Sequence, residues 1–182
     1  FLIRGNRAVN ADIVMVAVDE ASIAKLGRWP WPRSTHAKLV HQLGAGGARV
    51  VAFDILLTER ENPASDHALA QAADEKKNVV SAFFFNQLND QDASNPLFPY
   101  DELADASELG FVNLDPDADG VTRQAPLFLS EMQSADRSAL YPSLAVAAWA
   151  VSTDRSADEA IAALRSNPAF ARQNKMLINF AF

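Results

Sequence analysis

The chain has 182 residues, 49% hydrophobic and 21% charged, which fits one globular domain with a real core and excludes a disordered segment. A net charge of -7 excludes the positive footprint of a non-specific nucleic-acid binder and any polybasic patch for an anionic membrane surface. With no cysteine, disulfides and thiolate metal sites are excluded, and no apolar run reaches the roughly 18 residues of a membrane span.

Residues 13–18 (Ile-Val-Met-Val-Ala-Val) form a short β-branched apolar run predicted as a first strand and closed by Asp19. Residues 35–43 place Ala37, Leu39, Val40 and Leu43 at helical spacing, and Gly44-Ala45-Gly46-Gly47 ends that helix. That glycine cluster follows a helix and precedes a strand, which is the wrong order for a phosphate loop. Residues 50–53 are a second predicted strand, closed by Asp54. Ser65 is the expected cap of a helix carrying Ala68, Leu69, Ala72 and Ala73, and residues 79–85 are a third strand.

The polar stretch 86–99 reads as a surface loop, and residues 111–114 and 121–129 as a hairpin around the turn 115–120. Pro142 suits the first position of an Ala-rich helix ending near Val151, and Ser156 to Glu159 is a capping box opening another that stops before Pro168. The β-α-β-α-β order predicts one α/β domain over residues 1–182. Its expected form is a mixed, mostly parallel sheet with helices on both faces, a three-layer α/β/α arrangement, plus the hairpin. The chain lacks an initial Met and stops inside the apolar run 176–182, so both ends read as cuts in a longer protein.

Ligands of open α/β sheets bind beyond the carboxyl ends of the strands, where Asp19 and Asp54 are expected to lie on one edge. Arg33 and His36, at the start of the first helix, open toward the same edge. Two readings stand: a ligand site, or ion pairs of Asp19 or Asp54 with Arg33 or Arg123 that pin loops to the sheet, which is the commoner arrangement. Asp115-Pro116-Asp117-Ala118-Asp119-Gly120 is similar to the start of a calcium loop, but Pro126 stands where the bidentate Glu belongs and Arg123 where a ligand or water does, so a polar turn is the better reading. His36 and His41 are five apart and fall on different helix faces. No metal site, cofactor or catalytic residue is therefore assigned.

Read in order, Val18-Asp19-Glu20, Gly27-Arg28-Trp29-Pro30-Trp31-Pro32-Arg33, Ala52-Phe53-Asp54, Gly110-Phe111-Val112-Asn113, Asp119-Gly120-Val121 with Arg123, and Tyr141-Pro142-Ser143 form a family pattern. The chain resembles the type-two CHASE sensor domain, the extracellular module of bacterial adenylate cyclases, histidine kinases and other receptors. That resemblance implies a non-enzymatic extracytoplasmic sensor, joined to the membrane by flanking helices and relaying a signal to a cytoplasmic output domain. Residues 1–11 and 175–182 would lie nearest the membrane. The expected partners are an unidentified small-molecule or environmental signal and a second copy of the chain, with no nucleic acid; the alternatives are a ligand-free dimerisation module and, behind it, a stand-alone α/β enzyme. The ligand-binding candidates are Asp19, Arg33, His36, Asp54, Asn113 and Arg123, with Trp29, Trp31 and Asp119 in structural or lid roles. Pro30 and Pro32 fix φ and hold both tryptophans extended, either as a clamp over a guest or as a staple to the core.

Overall fold

Fourteen elements are defined in a computed structural model that describes residues 12–88, 92–131, 140–168, 170 and 174–177. In chain order they are α1 (Glu20–Leu26), α2 (Arg33–Ala45), β1 (Val51–Phe53), α3 (Pro63–Lys76), β2 (Val79–Leu88), β3 (Asp92–Leu97), α4 (Asp101–Ala106), β4 (Glu108–Phe111), β5 (Gln124–Pro126), β6 (Phe128–Glu131), β7 (Leu140–Pro142), α5 (Leu144–Ser152), α6 (Ala157–Ser166) and β8 (Lys175–Leu177). The chain is a mixed α/β domain, and no described helix is long and apolar enough to cross a membrane.

The expected first strand is absent. Residues 13–18 stay exposed and pair with no described strand, and strand propensity is realised only against a neighbour. The second and third expected strands form as β1 and β2, paired in parallel from Val51 against Val79. Long β2 is the hub. Its first half pairs in parallel with β1 and β4, and its second half pairs antiparallel with β3, which continues through β6 to β7. Three pairings are parallel and three antiparallel, so the sheets are mixed without a parallel majority.

Four further expectations are corrected. The stretch 86–99 contains β3, whose Ala93 and Ser94 are buried; Pro96 is tolerated because it lies beyond the pairing with β6, where no donor is required. The hairpin expected around residues 115–120 does not form, since β4 pairs with β2 in parallel and β5 with β8 antiparallel; β6 and β7 form the other antiparallel pair of this half. Pro142 ends edge strand β7, and Ser143 caps α5 instead. Asn62, not Ser65, caps α3, with Pro63 at its first position. The capping box of Ser156 and Glu159 forms as expected.

Burial collects into three apolar clusters. One joins Val40 of α2, Phe53 of β1, Leu69 of α3 and Leu103 of α4. A second is aromatic, around Phe83, Phe85 and Phe111. The third packs Val146 and Ala150 of α5 on Ala160 and Ile161 of α6.

Candidate functional site

The Trp-Pro-Trp-Pro-Arg run turns the chain from α1 into α2. Pro32 is extended and serves as the N-cap of α2, so Arg33 is its first helical residue. Trp31 is buried and its indole N–H donates to the Gly27 carbonyl at 2.9 Å. Trp29 meets the edges of Trp31 and His36 at centroid separations of 5.3 and 5.6 Å, and His36 in turn stands edge-on to Phe53 of β1 at 5.9 Å. These rings pack the run against His36 and, through it, Phe53 of β1.

Arg33 meets an acidic loop that the sequence reading did not single out. Its backbone N–H donates to Glu61 Oε2 at 2.9 Å, and its Nη2 donates to the Glu59 carbonyl at 3.1 Å. The Asp66 carboxylate, 1% exposed, accepts the Glu61 backbone N–H, while the Tyr100 hydroxyl donates to the Asp66 carbonyl at 2.9 Å. Burial, reinforced by Asp66, pushes the Tyr100 phenol up, so it stays a donor. Asp66 lies in the first turn of α3, a favourable place for a carboxylate, but no spacing in the chain says that it would organise the loop facing Arg33.

Of the six candidates, only Arg33 and His36 have a described interaction with each other. Asp19 ends no strand. It is the exposed N-cap of α1 in a reciprocal capping box with Ser22, whose N–H holds the carboxyl below its ordinary pKa. Asp54 is exposed and joins none of the described ion pairs. Asn113 acts as a strand extension, accepting from Phe85 N–H at 2.8 Å and donating to Phe85 C=O at 2.9 Å. Arg123 grips Asp117 at 2.7 Å and both oxygens of Asp119 at 2.8 and 2.9 Å. That grip holds the Asp119 carboxyl down to about 2 and occupies the two carboxylates a calcium ion would need. A separate cleft of about 600 Å³ lies beside this turn, lined by Asp115, Asp117, Leu88 and Lys175, and none of the six candidates lines it.

His36 Nε2 is buried and has no hydrogen-bond partner among the described residues. Burial first, then the charge of Arg33, lowers its pKa below the usual 6.5, against a smaller opposing pull from Glu61. The folded domain thus binds this proton less readily than the unfolded chain. Stability from neutral His36 is complete above the unfolded pKa and is lost as pH falls through the lowered folded value. The melting temperature should drop between about pH 7.5 and about pH 5 more steeply for the native chain than for His36→Phe, which keeps a ring and removes the titration. Parallel pH profiles for the two proteins would refute the assignment.

The model of the CHASE2 domain matches residues 1–182, the whole chain. Comparison with curated proteins returns no match, and comparison with solved structures returns none. The chain belongs to the CHASE2 domain family of extracellular receptor sensor domains.

Proposed function

We propose that this domain is the extracytoplasmic sensor of a bacterial membrane receptor and relays its state through flanking helices to a cytoplasmic output domain such as a cyclase or histidine kinase. The family match along the entire chain is the observation that carries this reading. The corner supports a binding role: it offers a cation and a buried imidazole packed among aromatic rings. The sensing event is placed at Arg33 and His36, the two candidates that meet. A guest that draws Arg33 from Glu59 would loosen the Trp31–Gly27 tether and so move the segment that leads back toward the membrane. A ligand-free dimerisation role is the second reading, favoured by the exposed apolar residues 13–18.

The test has two arms. Alkaline phosphatase fused after residue 182 of the receptor, with its native upstream sequence, should be active, and a silent phosphatase beside a fluorescent cytoplasmic reporter at the same point would overturn the location. In a thermal-shift screen of metabolites and ions, a stabilising compound should lose its effect on Arg33→Ala. A hit that stabilises both proteins equally would move the site elsewhere.

A further inference from the structure

The cleft of about 600 Å³ beside the 115–120 turn has the size of a small-molecule site, and its lining includes neither Arg33 nor His36. Three parts of the fold wall it. The paired strands β5 and β8 contribute Gln124, Pro126 and Lys175, the end of β2 and β6 contribute Leu88 and Leu129, and the turn contributes Asp115 with its neighbours.

Two of these walls are held by bonds of their own. In the turn, the Asp117 carbonyl accepts the Gly120 N–H at 2.7 Å and the Asp117 N–H donates to the Val121 carbonyl at 3.1 Å, while Arg123 clasps the carboxylates of Asp117 and Asp119. Ahead of β8, the Asn174 carbonyl accepts the Leu127 N–H at 2.6 Å and the Asn174 amide donates to the Phe128 carbonyl at 2.9 Å, which fixes the residue before Lys175. Asp117, Asp119 and Arg123 thus have a local job: they set the wall that carries Asp115. A site built in advance loses less to ordering when it binds.

The charges of the lining are only partly matched. Asp117 is answered by Arg123, but Asp115 and Lys175 make none of the described ion pairs, either with each other or with a third residue. An acid and an ammonium therefore line one cleft without closing on each other. Much of the remaining lining is apolar, with Pro126 and Leu129 buried.

We propose that this cleft binds a small zwitterion, an α-amino acid or a short peptide, with its ammonium at Asp115, its carboxylate at Lys175 and its apolar part against Pro126 and Leu129. A plain anion would be repelled by Asp115, a plain cation by Lys175, and an apolar guest would cover both charges and pair neither. A guest carrying both signs leaves no lining charge unanswered, and it fastens the turn to β8. This site is separate from the corner at Arg33 and His36 and does not depend on it.

Isothermal titration of the 182-residue chain with the common α-amino acids and with alanine di- and tripeptides tests this. At least one should bind with a Kd below about 1 mM, and the tighter of the two kinds is the source. Its N-acetyl and C-amide derivatives should each bind about tenfold more weakly, because each lacks one charged contact. Asp115→Asn should weaken the zwitterion by a similar factor and leave the N-acetyl form as it was, and Lys175→Met should do the same for the amide. Asp115 is exposed and Lys175 half-buried, so both variants should keep the native circular dichroism spectrum. Arg33→Ala should bind the zwitterion as tightly as the native chain. No binding across the panel at about 10 mM would overturn the proposal, as would full affinity in both cleft variants. A zwitterion lost in Arg33→Ala but kept by both cleft variants would also overturn it, and would leave the reading of the Arg33 corner intact.

Discussion

Gly110→Ala should cost the domain about 3 kcal/mol or more, at the upper end of what overpacking a rigid site does. A Cβ on Gly110 would stand 2.5 Å from Leu144 Cα, 2.8 Å from Leu144 N and 3.1 Å from the Ser143 carbonyl carbon. All three are backbone atoms, at the point where the cap of α5 crosses β4 and Phe111 bridges to Ser143. No side-chain rotation relieves such a contact; β4 and α5 must separate, which opens the packing on both sides. At roughly 2–4 °C per kcal/mol for a domain of this size, the melting temperature should fall by roughly 6–12 °C. Gly44→Ala is the control. Its Cβ would meet only the flexible end of Lys76 at 3.2 Å, and inside α2 the exchange gains helix propensity worth up to about 1 kcal/mol. Equal melting points for the two variants would show that the close approach at Gly110 is not structural.

The fold was legible where a signal is local. The helix α2 with its glycine stop, the strands β1 and β2, and the capping box of α6 all rest on neighbouring residues, and all form. It was illegible where partners decide. Residues 13–18 have the composition of a strand but no described neighbour, so they do not become one. The polar run after Asn86 looks like a loop, yet it gains a strand because β6 lies on the far side of β3 and buries Ala93 and Ser94. Pattern reading sees the polarity of such a segment and not its position in a sheet.

The site divides the same way. Nothing in the spacing of Arg33 and Glu61, or of Trp29 and Phe53, announces that they converge, because the convergence is made by packing α2 and the loop before α3 on β1. What the sequence did carry was stiffness: two prolines flanking two tryptophans require an ordered segment, and the rings of that segment pack on His36. Asp19 and Asp54 were placed together on the premise of adjacent strands, and without the first strand that premise has no support. Arg123 was expected to pair with Asp19 or Asp54, and it pairs instead with Asp117 and Asp119, within six residues of it.

Phe83→Ala should destabilise the domain by about 3–5 kcal/mol, the usual cost of deleting a fully buried aromatic ring. Phe83 is 0% exposed and is surrounded by rings, with centroids at 4.8 Å to Phe98, 5.2 Å to Phe85, 5.7 Å to Tyr141 and 6.5 Å to Phe111. Those rings come from β2, β4, β7 and the residue after β3, so the loss falls where the long strand changes from parallel to antiparallel neighbours. Refilling the resulting cavity would require several strands to move together, which the ladder hydrogen bonds resist. The midpoint of urea unfolding should therefore shift down with little change in slope, while Phe84→Ala, at a half-buried position on the opposite face of β2, should cost markedly less. In a double-mutant cycle the Phe83→Ala/Phe98→Ala chain should lose about 0.5–1.5 kcal/mol less than the sum of the single losses, because either substitution already removes the ring contact. Additive losses would mean that the rings fill space independently, and that the junction is held by the strand pairing alone.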